Sequence, residues 1–108
     1  MVSNAERFEV WSVDLNPTQG SEINKGRPCL IISPNELMSL ATVIVAPMTT
    51  KGFKIPSRID IEFNGKSGLI ILDQIRTIDK NRLVNKLGTI STVKQIEVCN
   101  RLQEIFAF

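Results

Sequence analysis

Two short strings in this chain carry side chains suited to an anionic group. Gly26-Arg27-Pro28 opens the apolar run Cys29-Leu30-Ile31-Ile32, and Ala46-Pro47-Met48-Thr49-Thr50 closes the run that begins at Thr42. Arginine stays charged at any working pH and offers a planar fork of donors that matches phosphate oxygens. A threonine hydroxyl adds one donor and two lone pairs. If the two runs lie side by side in a sheet, Arg27 entering one strand and Thr49 leaving the next meet at one rim. The chain contains no histidine, so any catalysis here works without the commonest acid–base side chain. Taken singly, Arg27 is also what a surface arginine before a strand looks like, and threonine is common at strand ends.

The elements that must position these groups are mostly strands. Residues 8–15 alternate loosely around Val10, Trp11 and Val13, and Asn16-Pro17-Thr18-Gln19-Gly20 is turn chemistry. Strands are expected over 29–33 and 42–46, with a single helical turn at 34–38 between them, and the stretch 48–57 with Gly52 and Pro56 reads as a mobile loop. Residues 58–63 alternate with Ile59, Ile61 and Phe63 on one face, and 64–68 read as a hairpin connection because Asn-Gly is a strong turn signal. Further strands are expected over 69–75 and 86–90. Only the end is helical in pattern: Thr92 with Gln95 fits a capping box, Ser91 is the alternative cap, and Val98, Leu102, Ile105 and Phe106 mark an apolar stripe with Cys99 at its border. The expected fold is mainly β with α, a compact antiparallel sheet or barrel of five to seven short strands closed by a C-terminal helix.

Length and composition fit one globular domain over residues 1–108, with 43% hydrophobic and 22% charged residues. No apolar run is long enough to span a bilayer and no secretory signal pattern opens the chain, so a cytoplasmic protein with no membrane partner is expected. Cys29 and Cys99 have no CxxC pairing and read as small buried hydrophobes rather than a metal or redox site. The net charge is only +2, yet Lys51, Lys54 and Arg58 fall together without an acid, and Arg76, Lys80, Arg82 and Lys86 cluster against Asp79 alone. Two basic segments on a nearly neutral chain point to a local anionic partner rather than a surface built for duplex DNA. Asp60 and Glu62 read as the solvated face of their strand, and nothing in the carboxylate spacing indicates a metal site. Neither a metal nor a cofactor is expected.

Taken in order, Trp11-Ser12-Val13-Asp14-Leu15-Asn16-Pro17, Gly20-Ser21-Glu22, Gly26-Arg27-Pro28, Ala46-Pro47-Met48-Thr49, Leu72-Asp73-Gln74-Ile75-Arg76-Thr77-Ile78-Asp79-Lys80, Arg82-Leu83 and Leu87-Gly88 resemble the MazF/PemK family of toxins, from Arg7 to the C-terminal helix. The resemblance implies a small SH3-like barrel, homodimeric, that cuts single-stranded RNA without a metal at short sequence motifs and is held inactive by a MazE-like antitoxin. It implies that Arg27 and Thr49 are the catalytic pair, with Thr50 the alternative register. The Gly20-Ser21-Glu22 loop would line the RNA channel, and Asp73, Gln74 and Arg76 would lie near the dimer interface and contribute RNA contacts.

The chemistry agrees with that implication. In RNA the 2′-hydroxyl is an internal nucleophile, so in-line placement supplies much of the rate. The protein must then neutralise the developing phosphorane and handle protons. Arginine is a poor general base, which leaves Glu22, Asp73 or water for proton removal. Expected products are a 2′,3′-cyclic phosphate and a 5′-hydroxyl, with DNA spared. The basic segments holding Lys54, Arg58 and Arg76 would rim the channel, where an acidic antitoxin tail could mimic the phosphates. Two positions depart from the family pattern: Arg7-Phe8-Glu9 stands where Arg-Gly-Asp is frequent, and Ile71 stands where the Kid branch carries an Arg that shares catalysis. The alternative is a non-catalytic barrel toxin that poisons a target such as gyrase, as CcdB does, although the ending Ile105-Phe106-Ala107-Phe108 does not resemble the tail that poison uses.

Overall fold

The computed structural model describes residues 5–14 and 26–108. Seven strands and one helix follow in order: β1 Glu9–Val13, β2 Arg27–Ile31, β3 Thr42–Thr49, β4 Arg58–Phe63, β5 Lys66–Ile71, β6 Arg76–Asp79, β7 Leu83–Thr89 and α1 Thr92–Ile105. Valine and isoleucine fill the strand centres, where β-branched side chains pack well on a pleated surface. The pairing is antiparallel throughout, in the order β4-β5-β3-β2-β1-β7, with β6 also on β3. This curled sheet is a half-barrel, as the strand pattern predicts.

Strand β3 organises it. One edge pairs with β2 through Cys29↔Pro47, Leu30↔Ala46 and Ile31↔Val45. The other edge is shared, with β6 on its first half from Thr42↔Asp79 to Val45↔Arg76, and β5 on its last two residues, Met48↔Ile70 and Thr49↔Leu69. Pro47 falls in the handover between those two ladders, where its missing N–H leaves no hydrogen bond unmade. Because β5 and β6 occupy the same edge in succession, the chain must break between them. The expected strand over 69–75 therefore stops at Ile71, a 3-10 turn follows at Leu72–Gln74, and β6 begins only at Arg76.

The hairpin also differs from expectation. Phe63 pairs with Lys66, so Asn64 (φ 52°) and Gly65 (φ 79°) alone make the turn, in the left-handed conformations a two-residue hairpin requires. Lys66, Ser67 and Gly68 are thus ladder residues. Strand β3 likewise runs on to Thr49, shortening the expected 48–57 loop.

Apolar side chains on the two faces form separate clusters. One contains Val10, Leu30, Ala46, Met48, Ile59, Ile70 and Leu72, sealed by Val98 of α1. The other holds Trp11, Val13, Cys29, Ile31, Val45 and Ile78. Helix α1 is capped by Ser91, whose Oγ accepts from Lys94 N at 3.3 Å; Gln95 reaches back to the Ile90 carbonyl, so the capping box on Thr92 does not form. Leu102 and Ile105 join Val98 on the core, whereas Phe106 of the expected stripe is 68% exposed.

At the start of β1, Phe8, which stands where Arg-Gly-Asp would carry glycine, sits at φ 73°, a left-handed backbone that glycine adopts more readily. Buried Glu9 accepts from Glu6 N at 3.0 Å and from the Trp11 indole at 2.9 Å, and pairs with Lys86 at 3.0 Å. Burial alone would raise its pKa, but these donors outweigh it and hold the carboxyl below the usual range.

Candidate active site

Arg27 is the first residue of β2 and Thr49 the last of β3. Continuing the β2–β3 register two residues past Cys29↔Pro47 sets Arg27 across from Thr49 on the same face of the sheet. Both line one solvent-open cleft of about 590 Å³, at the end of the half-barrel where the β4–β5 hairpin approaches β7. Arg27 is exposed and Thr49 half-buried. The Thr49 hydroxyl oxygen accepts from Lys51 N at 3.0 Å. That bond occupies a lone pair and leaves the hydroxyl proton free to donate.

Two glycines allow this convergence. A Cβ on Gly26, next to Arg27, would fall 1.7 Å from Ser12 Oγ, so β2 enters the sheet packed directly on β1. A Cβ on Gly68 would fall 2.4 Å from the Thr49 carbonyl oxygen, so β5 closes on the end of β3 only without a side chain there.

Thr50 lines the same cleft. Arg76 lies opposite Val45, on the face that carries Cys29, and is exposed. Burial pushes the Cys29 thiol up to about 11, and the nearby Arg27 and Arg76 guanidiniums both pull it partway back. The thiol is therefore un-ionised and inert at neutral pH, as expected of a buried small hydrophobe.

Other expected contacts lie elsewhere. Arg58 makes a two-pronged bridge to Asp73, 3.2 Å from Nε to Oδ1 and 3.3 Å from Nη2 to Oδ2, and its Nη1 donates to the Phe53 carbonyl at 3.1 Å. Its guanidinium also faces the Phe53 ring at 5.2 Å. The Arg58 hydrogen bond is the main cause of the depressed Asp73 pKa, and Ser57 adds a bond of 2.9 Å. These residues brace the loop 50–57 and do not line the cleft. Lys54 is paired with Asp60, and Gln74 sits on the exposed turn beside Asp73. Arg76 apart, the second basic segment is absorbed in the same way: Lys80 is buried against the Met38 carbonyl, Arg82 donates to the Asp14 carbonyl at 3.3 Å, and Lys86 is paired with Glu9. Gly20, Ser21 and Glu22 lie outside the described residues.

Sequence reading overlooked part of the cleft. Lys51 and Lys66 line it with Arg27, and Met48, Ile61, Phe63, Leu69 and Leu87 give it an apolar wall. No aspartate or glutamate is among its described lining residues. The missed signal was the length of the Asn64-Gly65 turn, which places Lys66 on a strand instead of in a loop. Among the described residues no group of three or more His, Cys, Asp or Glu is arranged to hold a metal ion, and no helix is long and apolar enough to cross a membrane. The cleft lining offers an arginine, a threonine and two lysines around open space, chemistry that suits an anionic group.

Comparison with known proteins agrees. A sequence profile described as PemK-like, MazF-like toxin of type II toxin–antitoxin system matches residues 6–106. The endoribonuclease MazF of Staphylococcus epidermidis is 39% identical over 103 residues, covering 89% of this chain and 86% of that protein. The endoribonuclease MazF of Staphylococcus saprophyticus is 42% identical with the same coverage. In structure, the chain superposes on a mycobacterial endoribonuclease with a TM-score of 0.77 and 24% identity, covering 96% of this chain and 91% of that one. It superposes on a chain of the MazE–MazF complex of Deinococcus radiodurans with a TM-score of 0.78 and 20% identity, covering 96% of each. These two likenesses speak for the fold. The profile match and the two staphylococcal relatives go further: this chain belongs to the PemK-like, MazF-like family of toxins of type II toxin–antitoxin systems.

Proposed function

We propose that this chain is the endoribonuclease toxin of such a pair and that Arg27 and Thr49 carry its cleavage of single-stranded RNA. The observation behind this reading is their shared cleft, open to solvent, with cations and no described carboxylate in its lining. The 2′-oxygen attacks the adjacent phosphorus as the bond to the 5′-oxygen breaks, leaving a 2′,3′-cyclic phosphate and a 5′-hydroxyl. Arg27 balances the charge that builds on the non-bridging oxygens, and the free Thr49 proton donates to one of them. Water or Glu22 takes the 2′-proton, since Asp73 is committed to Arg58, and water supplies the proton that the departing 5′-oxygen takes up. The chemistry calls for no metal, because the nucleophile is internal and the protein supplies the positive charge.

Two staphylococcal relatives are named as endoribonucleases, and one mycobacterial neighbour is an endoribonuclease in complex with its cognate antitoxin. That supports RNA as substrate and a MazE-like antitoxin as partner here, and speaks against the gyrase-poison alternative. A homodimer working in the cytoplasm, with residues 1–108 as one toxin domain, completes the reading. The test is incubation with long single-stranded RNA in the presence of chelator. Wild type should cut it, and Arg27→Ala should lose about 10²–10³ in rate while keeping its fold, the usual cost of one preorganised donor. RNA left intact by wild type across varied sequences would contradict the proposal.

A further inference from the structure

We infer that Lys66 is a positioning residue that holds the phosphate neighbouring the scissile one; the inference rests on the ribonuclease reading above. Four of the described lysines are engaged: Lys54 with Asp60, Lys80 with the Met38 carbonyl, Lys86 with Glu9 and Lys94 with Glu97. Lys51 and Lys66 have no side-chain partner among the described residues, and both line the cleft with Arg27 and Thr49.

The backbone of Lys66 is held by three constraints. The β4–β5 ladder runs without a bulge from Arg58↔Ile71 to Phe63↔Lys66 and is closed by the two-residue turn. The tip is braced on β7: a Cβ on Gly88 would lie 2.9 Å from Phe63 Cζ, so the Phe63 ring rests on that glycine. The other end of β5 is tied to the site through Leu69↔Thr49 and the close approach of Gly68 to the Thr49 carbonyl. Lys66 is two residues along β5 from Gly68, about 7 Å at the strand rise. That is the order of one phosphate-to-phosphate step on an unpaired strand. An ammonium carried on so constrained a backbone, in the same cleft as Arg27 and Thr49 and with no acid among the described lining residues, is placed to hold register and not to take part in bond breaking. Lysine does this as a point charge, so the contact selects backbone rather than base.

The test uses the full-length protein and short RNAs carrying one methylphosphonate, which removes a single backbone charge, at successive linkages. Lys66→Ala should raise KM about three- to fivefold with kcat within about twofold, the scale of an exposed charge pair. Its plot of log kcat/KM against log salt should be shallower by about 0.7, one phosphate contact on a single strand. Lys66→Arg should restore both. At one linkage beside the cut, the methylphosphonate should cost wild type that same factor and cost Lys66→Ala nothing more. A Lys66→Ala variant with wild-type KM and salt slope overturns the inference while the nuclease stands. So does a penalty that adds to the methylphosphonate effect at every linkage. Wild type that cuts no RNA removes the ribonuclease reading, and this inference with it.

Discussion

Replacing Gly68 by alanine places a methyl carbon 2.4 Å from the Thr49 carbonyl oxygen, 3.2 Å from its carbonyl carbon and 3.5 Å from Thr50 Cα. Ordinary contact with that oxygen begins near 3.4 Å, so one side must retreat by about 1 Å. The obstacle is backbone and has no rotamer to turn away. Strand β5 is clamped along six paired residues of β4, whereas β3 meets β5 at only Met48 and Thr49. The end of β3 therefore yields, pushing Thr49 toward β2 and out of its place beside Arg27. Overpacking of this kind costs about 1–3 kcal/mol, and a displacement of about 1 Å at a reacting centre costs about a hundredfold. Steady-state cleavage of a fluorogenic RNA should show kcat down about 10² with KM little changed, and urea unfolding should show the stability loss. Gly65→Ala is the control. Nothing lies within 4 Å of a Cβ there, but its φ of 79° makes alanine strained. That variant should lose about 1 kcal/mol and keep kcat. A folded Gly68→Ala variant with kcat within about threefold of wild type would refute the argument that β5 positions Thr49.

Gly26→Ala meets a side chain instead of backbone, so Ser12→Ala in the same chain should recover much of its lost activity and stability; equal loss in single and double variants would count against that packing. The Cys29 thiol, held up to about 11 mainly by burial, stays protonated in the fold while an unfolded thiol ionises near 9.0. The folded state therefore binds more protons between those values, and the thiol's contribution falls as pH rises through them, by up to about 1.4 kcal/mol per unit. Unfolding curves should show the gap between wild type and Cys29→Ala narrowing from pH 9 upward, and parallel curves would exclude it. Arg58→Ala and Asp73→Asn remove two ends of one partly exposed bridge, so their stability costs should be non-additive by at most about 1 kcal/mol. The bridge's contribution is present above the ordinary Asp range and lost as pH falls through the lowered Asp73 pKa. Additive costs at neutral pH would mean the bridge is not a unit.

The meeting of Arg27 and Thr49 at one rim was legible because both sit at the ends of short β-branched runs, and antiparallel pairing of such runs brings opposite ends together. Charge destinations were not. Arg58 finds Asp73 fifteen residues on, across the β4–β5 hairpin, and Lys80 disappears under the Met38 carbonyl forty-two residues back, contacts that no local pattern encodes. The same blindness hid Lys66. Its polar neighbours look like turn residues, and only the positive φ angles of Asn64 and Gly65 show that two residues close the hairpin and the rest are strand. The single expected strand over 69–75 failed for a topological reason, since β3 offers one edge to two partners in turn. The helix cap went to Ser91 over Thr92, one residue away, because the helix starts only after the extended Ser91.

The central claim is that the substrate's own 2′-oxygen is the nucleophile while Arg27 and Thr49 steady the phosphate. A short RNA with a single 2′-deoxy nucleotide at the cut site, digested with chelator and read by mass, addresses it directly. The all-RNA strand should yield a fragment ending in a 2′,3′-cyclic phosphate, and the substituted strand should survive undigested at that linkage while still competing for binding. Cleavage of the substituted linkage at the normal rate would show that the attacking group comes from elsewhere.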